Sequence, residues 1–296
     1  MTDARPGPGP LAGLRLAVSW LTVLPARVGT GPDGALPRGV PAAALRWAPV
    51  VGIGLGLAGG ALLLGLTALG TSPLVAGLLV VGAGALATRG MHLDGLADTA
   101  DGLGSYGPPE RALRIMAEGG AGPFAVVTLV VVLGAQAAAL AQLASAPPAA
   151  VLVTCALAAG VGRAGFCWVA RSGAPAAREG GLGALVAGSQ RVWVAPLWWT
   201  VLAAAGAAAL VPAVDRAGMP RRYADYLPEG PTAFPGVLAG PGIVLVTVGA
   251  VLAAALLVAG LARHTRRRFG GMSGDVLGAA EQLAATTVLV VLAAAL

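Results

Sequence analysis

Long apolar stretches alternate with short polar segments along almost the whole chain. A helix that spans a membrane needs about 20 mainly apolar residues. The stretches that meet this requirement are approximately 47–70, 73–90, 122–143, 148–168, 191–213, 237–262 and 276–296. The pattern predicts an all-α fold, a polytopic integral membrane bundle of about seven transmembrane helices in a single domain, 1–296.

A further apolar stretch, 11–24, is shorter than the others, contains Arg15 and is followed by Pro25. Short amphipathic segments of this kind lie in the membrane interface rather than across the bilayer. We therefore expect residues 1–46 to form an interfacial or re-entrant segment, although an additional span at 11–24 stays open.

Charges are distributed unevenly among the segments that connect the spans. Segments 71–72 and 144–147 have no charge, and three Arg in 214–236 are balanced by three acidic residues. All other Arg residues lie in the segments that alternate with these, namely 1–46, 89–121, 163–191 and 263–275. Because loops rich in basic residues stay in the cytoplasm, we predict a cytoplasmic N-terminus, a C-terminus on the outer side, and all of these charged segments on the cytoplasmic face.

The composition agrees with this class and argues against others. The chain is 57% hydrophobic and 11% charged, with a mean hydropathy of +0.82, whereas soluble domains contain about 25% charged residues. A net charge of +6 is common in nucleic-acid-binding proteins, but here the basic residues follow the membrane topology. We therefore expect the lipid bilayer, and no nucleic acid, as a partner. The sequence makes no prediction of the oligomeric state.

Three acidic residues stand out in the segment RGMHLDGLADTADGLG, at 89–104. Asp94, Asp98 and Asp101 have the spacing i, i+4, i+7, which places them on one face of a helix. Carboxylates so close together repel each other, and a bound cation would offset the repulsion. Mg²⁺ typically binds one or two carboxylates together with substrate phosphates. We predict a site for Mg²⁺ or Mn²⁺ and phosphate here, at the end of a membrane helix within a catalytic segment, 89–121; an exposed acidic loop is the simpler alternative.

Residues near the aspartates have candidate roles as well. His92 lies on the opposite side of the same helix, which favours a supporting role as base, ligand or polar cap. Arg111 and Arg114 belong to a short amphipathic stretch and are candidates for binding a phosphate. An interfacial helix without a ligand explains that stretch equally well.

A second candidate region lies at the end of the basic and glycine-rich loop 263–275, where Ser273 and Asp275 stand at the start of the last predicted helix. A helix N-terminus favours an anion, while Ser and Asp are also routine helix caps. Glu281 and Arg163 lie inside apolar spans, where ionisable residues are functional candidates by default. Arg178 precedes a glycine cluster that either contacts phosphate or simply turns the chain.

Six segments carry a resemblance that covers nearly the whole chain. They are SWLTVLPAR (19–27), RWAPVVG (46–52), HLDGLADTADG (92–102), R-x4-M (111–116), AREGGLG (177–183) and GGMSGDVLGAAE (270–281). These segments resemble the cobalamin synthase family, also called adenosylcobinamide-GDP ribazoletransferase. The resemblance implies a membrane-bound, Mg²⁺-dependent transferase that joins adenosylcobinamide-GDP to α-ribazole, or its 5′-phosphate, and releases GMP. This is the final nucleotide-loop assembly step of vitamin B12 biosynthesis.

The resemblance also implies roles for the candidate residues. Mg²⁺ held by the aspartates would bridge the diphosphate, and one aspartate would accept the proton of the attacking ribose hydroxyl. The predicted catalytic residues are Asp94, Asp98, Asp101 and His92, the first three also as metal ligands. The predicted substrate-binding residues are Arg111, Arg114, Arg178, Ser273, Asp275 and Glu281.

Two other functions have a weaker basis in the sequence. CDP-alcohol phosphotransferases also place spaced aspartates at a membrane-helix end, but their signature continues Asp-Gly-x2-Ala-Arg, and no Ala-Arg follows Gly95 here. Transporters place ionisable groups near the middle of the bilayer. Arg163 and Glu281 are compatible with that arrangement, whereas the aspartates gather at a helix end.

Overall fold

The computed structural model describes residues 11–29, 35–215 and 240–296, and within these ranges the chain forms helices joined by short connections. The helices are α1 (Ala12–Leu21), α2 (Val40–Ala68), α3 (Pro73–Ala87), α4 (Met91–Gly104), α5 (Pro109–Glu118), α6 (Pro123–Leu143), α7 (Pro148–Val169), α8 (Gly181–Val186), α9 (Val194–Asp215), α10 (Pro241–Phe269) and α11 (Gly274–Ala295). Six of them are long and apolar enough to cross a membrane, and the bent pair α3–α4 adds a seventh if it is counted as one span. The predicted all-α, polytopic membrane bundle is confirmed.

The described parts of the four segments 1–46, 89–121, 163–191 and 263–275, which carry most of the Arg residues, meet at one end of the bundle, which we call the basic end. There, Arg268 Nη2 donates a hydrogen bond to the Ser105 carbonyl oxygen at 2.8 Å, which joins the end of α10 to the α4–α5 connection. Gln190 Nε2 donates to the Ala42 carbonyl oxygen at 2.9 Å, which joins the segment before α9 to the start of α2. The predicted neutral segment 214–236 lies almost entirely outside the described residues.

The N-terminal part of the bundle differs from its predicted boundaries. Helix α1 has 10 residues, too few to cross a bilayer, which agrees with a non-spanning segment. Helix α2 begins at Val40 rather than at 47, because Pro41 stands in its first turn, where a proline is well tolerated. The added turns of α2 pack against α1.

The basic run near the C-terminus is helical rather than a loop. Helix α10 continues to Phe269, so the predicted loop 263–275 shrinks to the few residues before Gly274. The last turn of α10 contains Arg266, Arg267 and Arg268, and positive charge at a helix C-terminus is favourable.

Helix α4 turns away from α3 by 93°, so the aspartates lie on a separate helix. The sequence had predicted them at the end of the continuous span 73–90. The turn uses positive φ angles at Arg89 (55°) and Gly90 (66°). Such a backbone conformation is uncommon for a residue other than glycine. Arg89 is held in place because its Nη2 donates to the carbonyl oxygens of Ser19 and Trp20, both at 3.1 Å.

Close helix packing between α2 and α7 depends on glycine. A Cβ atom at Gly56 would overlap the carbonyl oxygen of Cys155, whereas a Cβ atom at Gly54 would meet no atom within 4 Å. We therefore expect Gly56→Ala to lower the free energy of unfolding by about 1–3 kcal/mol, as overpacking does. Gly54→Ala, two residues away on an exposed face, should leave it unchanged. Thermal unfolding in detergent tests the pair, and equal melting temperatures for the two variants would contradict this packing.

Candidate active site

A cavity of about 490 Å³ opens at the basic end between α4, the 178–184 segment and the start of α11. We call it the polar cavity. The predicted site residues that line it are His92, Asp94, Arg178, Ser273 and Asp275. The fold thus brings together residues from three segments that are far apart in the sequence.

Two glycines bring the aspartates of α4 to the start of α11. A Cβ atom at Gly95 would lie 2.6 Å from the Asp275 carbonyl oxygen, and one at Gly278 would lie 2.9 Å from the His92 carbonyl oxygen. Side chains at these positions would push the two helices apart. The Asp-Gly pair in α4 is therefore needed for Asp94 to reach the same cavity as Asp275.

The acidic groups of this region interact through their charges. Helix α4 crosses the starts of α6 and α11 at the basic end, outside the membrane-spanning segments. The pKa of Asp98 is raised to about 6, mainly by partial burial and to a lesser degree by the neighbouring carboxylates of Asp94, Asp275 and Asp101, whereas Arg178 acts in the opposite direction. Since one guanidinium faces several carboxylates, the region favours binding of an additional cation.

Arg178 and Asp275 connect two glycine-rich segments. Arg178 Nη2 lies 2.9 Å from Asp275 Oδ2, and both side chains are partly accessible to solvent. The backbone supports this contact, because the Ala177 N–H donates to the Met272 carbonyl oxygen and the Met272 N–H donates to the Pro175 carbonyl oxygen, each at 2.8 Å. Arg178 is therefore held above the start of α11, where its charge adds to the helix dipole in attracting an anion.

Ser273 is the N-cap residue of α11. Its Oγ accepts a hydrogen bond from the Val276 N–H at 3.4 Å, and the residue is buried. The structure thus shows the capping role that the sequence had left as an alternative. The cap orients the first turn of α11 towards the polar cavity.

Asp101 binds the backbone at the start of α6. Its Oδ2 accepts a hydrogen bond from the Gly122 N–H at 2.6 Å and its Oδ1 accepts one from the Ala125 N–H at 2.9 Å. The residue is only 8% exposed and does not line the polar cavity. Asp101 caps the N-terminus of α6, and of the three predicted metal-binding aspartates only Asp94 lines the polar cavity, with Asp98 beside it on the same helix.

Within the described ranges, no group of three or more His, Cys, Asp or Glu side chains is placed to hold a metal ion. A magnesium ion at Asp94 and Asp98 would therefore need further oxygen ligands from a substrate. This arrangement suits Mg²⁺, which commonly combines one or two carboxylates with phosphate oxygens.

The capping role of Asp101 predicts a particular outcome for Asp101→Asn. An Asn side chain keeps one acceptor oxygen, so one of the two α6 N–H groups loses its partner. We expect a loss of about 1 kcal/mol in the free energy of unfolding, with a smaller loss of activity than a substitution in the polar cavity causes. Thermal unfolding and turnover of the same preparations test this. An Asp101→Asn protein with unchanged stability and no activity would instead indicate a metal ligand.

His92 and Glu281 face away from the acidic side of α4. Glu281 Oε1 accepts a hydrogen bond from Arg163 Nη1 at 2.8 Å, and Glu281 Oε2 lies 3.5 Å from His92 Nδ1. All three residues are buried. Glu281 does not line the polar cavity, so its predicted contact with substrate has no support there. Its buried charge is balanced by Arg163 instead.

Residues 13–293 match the family model described as cobalamin-5-phosphate synthase. The chain belongs to the cobalamin-5-phosphate synthase family. It is 34% identical to a protein of Corynebacterium efficiens, an alignment that covers 100% of this chain and 96% of the relative. It is 36% identical to a protein of a Nocardioides species, with coverage of 95% and 97%. Both relatives are named adenosylcobinamide-GDP ribazoletransferase. No solved structure matches the chain.

Two predicted residues lie away from the polar cavity of this cobalamin-5-phosphate synthase family member. Arg111 and Arg114 are exposed on α5, and neither lines the polar cavity. Sequence reasoning also missed a polar network inside the bundle, where Gln136 Nε2 donates to Gln282 Oε1 at 2.9 Å and to Thr286 Oγ1 at 2.8 Å. The available signal was that such residues are unusual within apolar spans, where they hydrogen-bond between helices.

Proposed function

We propose that this family member is an Mg²⁺-dependent adenosylcobinamide-GDP ribazoletransferase. It joins adenosylcobinamide-GDP to α-ribazole, or its 5′-phosphate, and yields adenosylcobalamin, or its 5′-phosphate, together with GMP. The observation that carries the proposal is the polar cavity, where Asp94, Arg178 and Asp275 meet at a helix N-terminus. Carboxylates, an Arg and free N–H groups are the set that a diphosphate and its metal ion require. The identity of the substrates is inferred from the names of the relatives.

The reaction is a displacement at phosphorus. A ribose hydroxyl of the acceptor attacks the phosphorus on the cobinamide side of the diphosphate, and a new P–O bond forms. The bond between that phosphorus and the bridging oxygen breaks, so GMP leaves with the bridging oxygen. The proton of the hydroxyl passes to a carboxylate. Such reactions depend mainly on positioning and on stabilising negative charge.

Residues that line the polar cavity, together with Asp98 beside it, perform these steps. We assign Asp94 and Asp98 to hold Mg²⁺, which would neutralise charge on the diphosphate and the leaving GMP. Arg178 and the first N–H groups of α11 bind phosphate oxygens, and the contact with Asp275 keeps Arg178 in place until the substrate arrives. His92, on the wall of the same cavity, orients the acceptor.

Turnover by the purified protein tests the proposed function. In detergent with Mg²⁺, adenosylcobinamide-GDP and α-ribazole, we expect adenosylcobalamin and GMP to form in equal amounts, as measured by chromatography. Chelation of Mg²⁺ should stop the reaction, and adding Mg²⁺ should restore it. Parallel reactions with α-ribazole 5′-phosphate identify the preferred acceptor. A folded protein that forms no product from either acceptor would contradict the assignment.

We also propose that the protein lies in the bacterial cytoplasmic membrane with the basic end and the polar cavity facing the cytoplasm. The concentration of Arg at that end supports this orientation, since basic loops stay inside. A nucleotide-activated substrate and Mg²⁺ are both available on that side.

Labelling of single cysteines tests the orientation. Tyr106, at the basic end, and Leu69, at the other end of α2, are 87% and 85% exposed. Each is replaced by Cys in a protein whose native Cys155 and Cys167 are changed to Ala. An impermeant maleimide added to intact spheroplasts should label position 69, and position 106 only after permeabilisation. The reverse order would place the polar cavity outside.

A further inference from the structure

A second cavity, of about 280 Å³, lies between α2, α3, α4, α6, α7 and α11 and is partly open at the surface of the bundle, where Ala58, Leu62 and Gly84 are exposed. We call it the apolar cavity, because Leu, Ala, Val and Gly form most of its walls. The polar side chains that line it are Thr88, His92, Gln136, Arg163, Glu281 and Gln282. Nothing in the proposed phosphate chemistry uses this space.

Two buried side chains on its wall have polar atoms without hydrogen-bond partners among the described residues. His92 is only 3% exposed and neither of its ring nitrogens has such a partner, although Nδ1 lies 3.5 Å from Glu281 Oε2. Arg163 Nε, also buried, likewise has no partner in the described part of the chain. A buried donor without an acceptor costs about 1–3 kcal/mol. A ligand that offers an acceptor inside the cavity would offset that cost.

The apolar cavity adjoins the proposed reaction site through His92. His92 is among the residues that line both the polar cavity and the apolar one. A substrate whose reacting hydroxyl lies in the polar cavity could therefore place an apolar group on the other side of His92. Of the two substrates, the acceptor nucleoside is the smaller one.

We propose that the apolar cavity binds the heteroaromatic base of the acceptor nucleoside, an inference that rests on the proposed function. The base of α-ribazole is a benzimidazole, a flat and largely apolar ring system with a ring nitrogen that accepts a hydrogen bond. Apolar walls with few polar groups are typical of sites for such ligands. Guanine would leave several donors and acceptors unsatisfied there, and a lipid acyl chain offers no acceptor to His92 or Arg163.

Filling the cavity from two different walls provides the test. Gly84 on α3 and Gly59 on α2 line the cavity. A Cβ atom at Gly84 meets no atom within 4 Å, and one at Gly59 lies 3.5 Å from Val80 Cγ1, so a side chain can start at both positions without overlapping the backbone of a neighbouring helix. Gly82 and Gly54 are matched controls on the same two helices. They are exposed, meet no atom within 4 Å, and do not line the cavity.

The full-length variants are compared in detergent by calorimetric titration with benzimidazole and with α-ribazole, without the second substrate. We expect Gly84→Leu and Gly59→Leu to raise the Kd of both probes at least about tenfold, and Gly82→Leu and Gly54→Leu to leave it unchanged. In turnover assays the same two cavity variants should raise the KM for α-ribazole but not the KM for adenosylcobinamide-GDP.

Equal Kd values in all four variants and the unchanged protein would overturn the inference. So would bound phospholipid, seen by native mass spectrometry, that Gly84→Leu displaces while α-ribazole binding persists, because an acyl chain would then occupy the cavity. The failure of the proposed function looks different. In that case the unchanged protein binds benzimidazole with the predicted dependence on Gly84 and Gly59 but makes no product.

Discussion

Asp98→Asn and Asp94→Asn are each expected to lower kcat at least about 100-fold, because each removes a carboxylate assigned to hold Mg²⁺. The effect on stability should have the opposite sign. Asp98 lies close enough to the carboxylates of Asp94 and Asp275 for them to raise its pKa, so a neutral amide relieves their mutual repulsion. We therefore expect the melting temperature of Asp98→Asn to be equal to that of the unchanged protein, or higher.

A matched control is Glu110→Gln, which removes a carboxylate from an exposed position on α5. This variant should keep full activity, which separates a local role of the aspartates from a general effect of net charge. Asp98→Asn and Asp94→Asn proteins that turn over at the normal rate would remove both residues from the proposed metal site. Loss of activity together with loss of folding would point to a structural role.

Arg163→Met is expected to cause the largest loss of stability among the substitutions considered. Arg163 Nη1 and Glu281 Oε1 are 2.8 Å apart with both side chains almost fully buried. Removing one partner leaves an uncompensated buried charge, which costs about 3–5 kcal/mol. Adding Glu281→Gln to Arg163→Met should recover part of that loss, since the neutral amide no longer needs a counter-ion.

The measurement is unfolding in mixed micelles with increasing denaturing detergent for the two single variants and the double variant. A double variant that is more stable than Arg163→Met alone identifies the buried ion pair as structural. It also argues against a role of these two residues in transport, because each charge is neutralised by the other. Additive losses from the two single substitutions would show that the charges do not depend on each other.

The spans of this fold follow from hydropathy, since each needs only a local run of apolar residues. The boundaries do not, as α10 shows: its apolar part ends near 262, but the helix continues to Phe269 through Arg-rich turns. The 93° turn between α3 and α4 also could not be predicted from hydropathy. It depends on Arg89, whose partners Ser19 and Trp20 lie about 70 positions earlier in the chain.

The candidate site could be predicted only in part, because many of its contacts join residues that are distant in the sequence. Helical spacing placed Asp94, Asp98 and Asp101 on one face of α4, yet the start of α6 lies against only the last of them. The pairing of Glu281 with Arg163 joins residues 118 positions apart. Spacing within one helix contains no information on such contacts, because the neighbouring helices determine which partner each side chain meets.

The most direct test of the central claim is the position of the metal ion in the substrate complex. A structure of the protein with Mn²⁺ in place of Mg²⁺ and with adenosylcobinamide-GDP should show anomalous scattering at the polar cavity. We predict an ion about 2.1 Å from carboxylate oxygens of Asp94 and Asp98 and from the substrate diphosphate, with Asp101 still bound to the start of α6. A diphosphate bound elsewhere, or an ion without contact to either aspartate, would contradict this account.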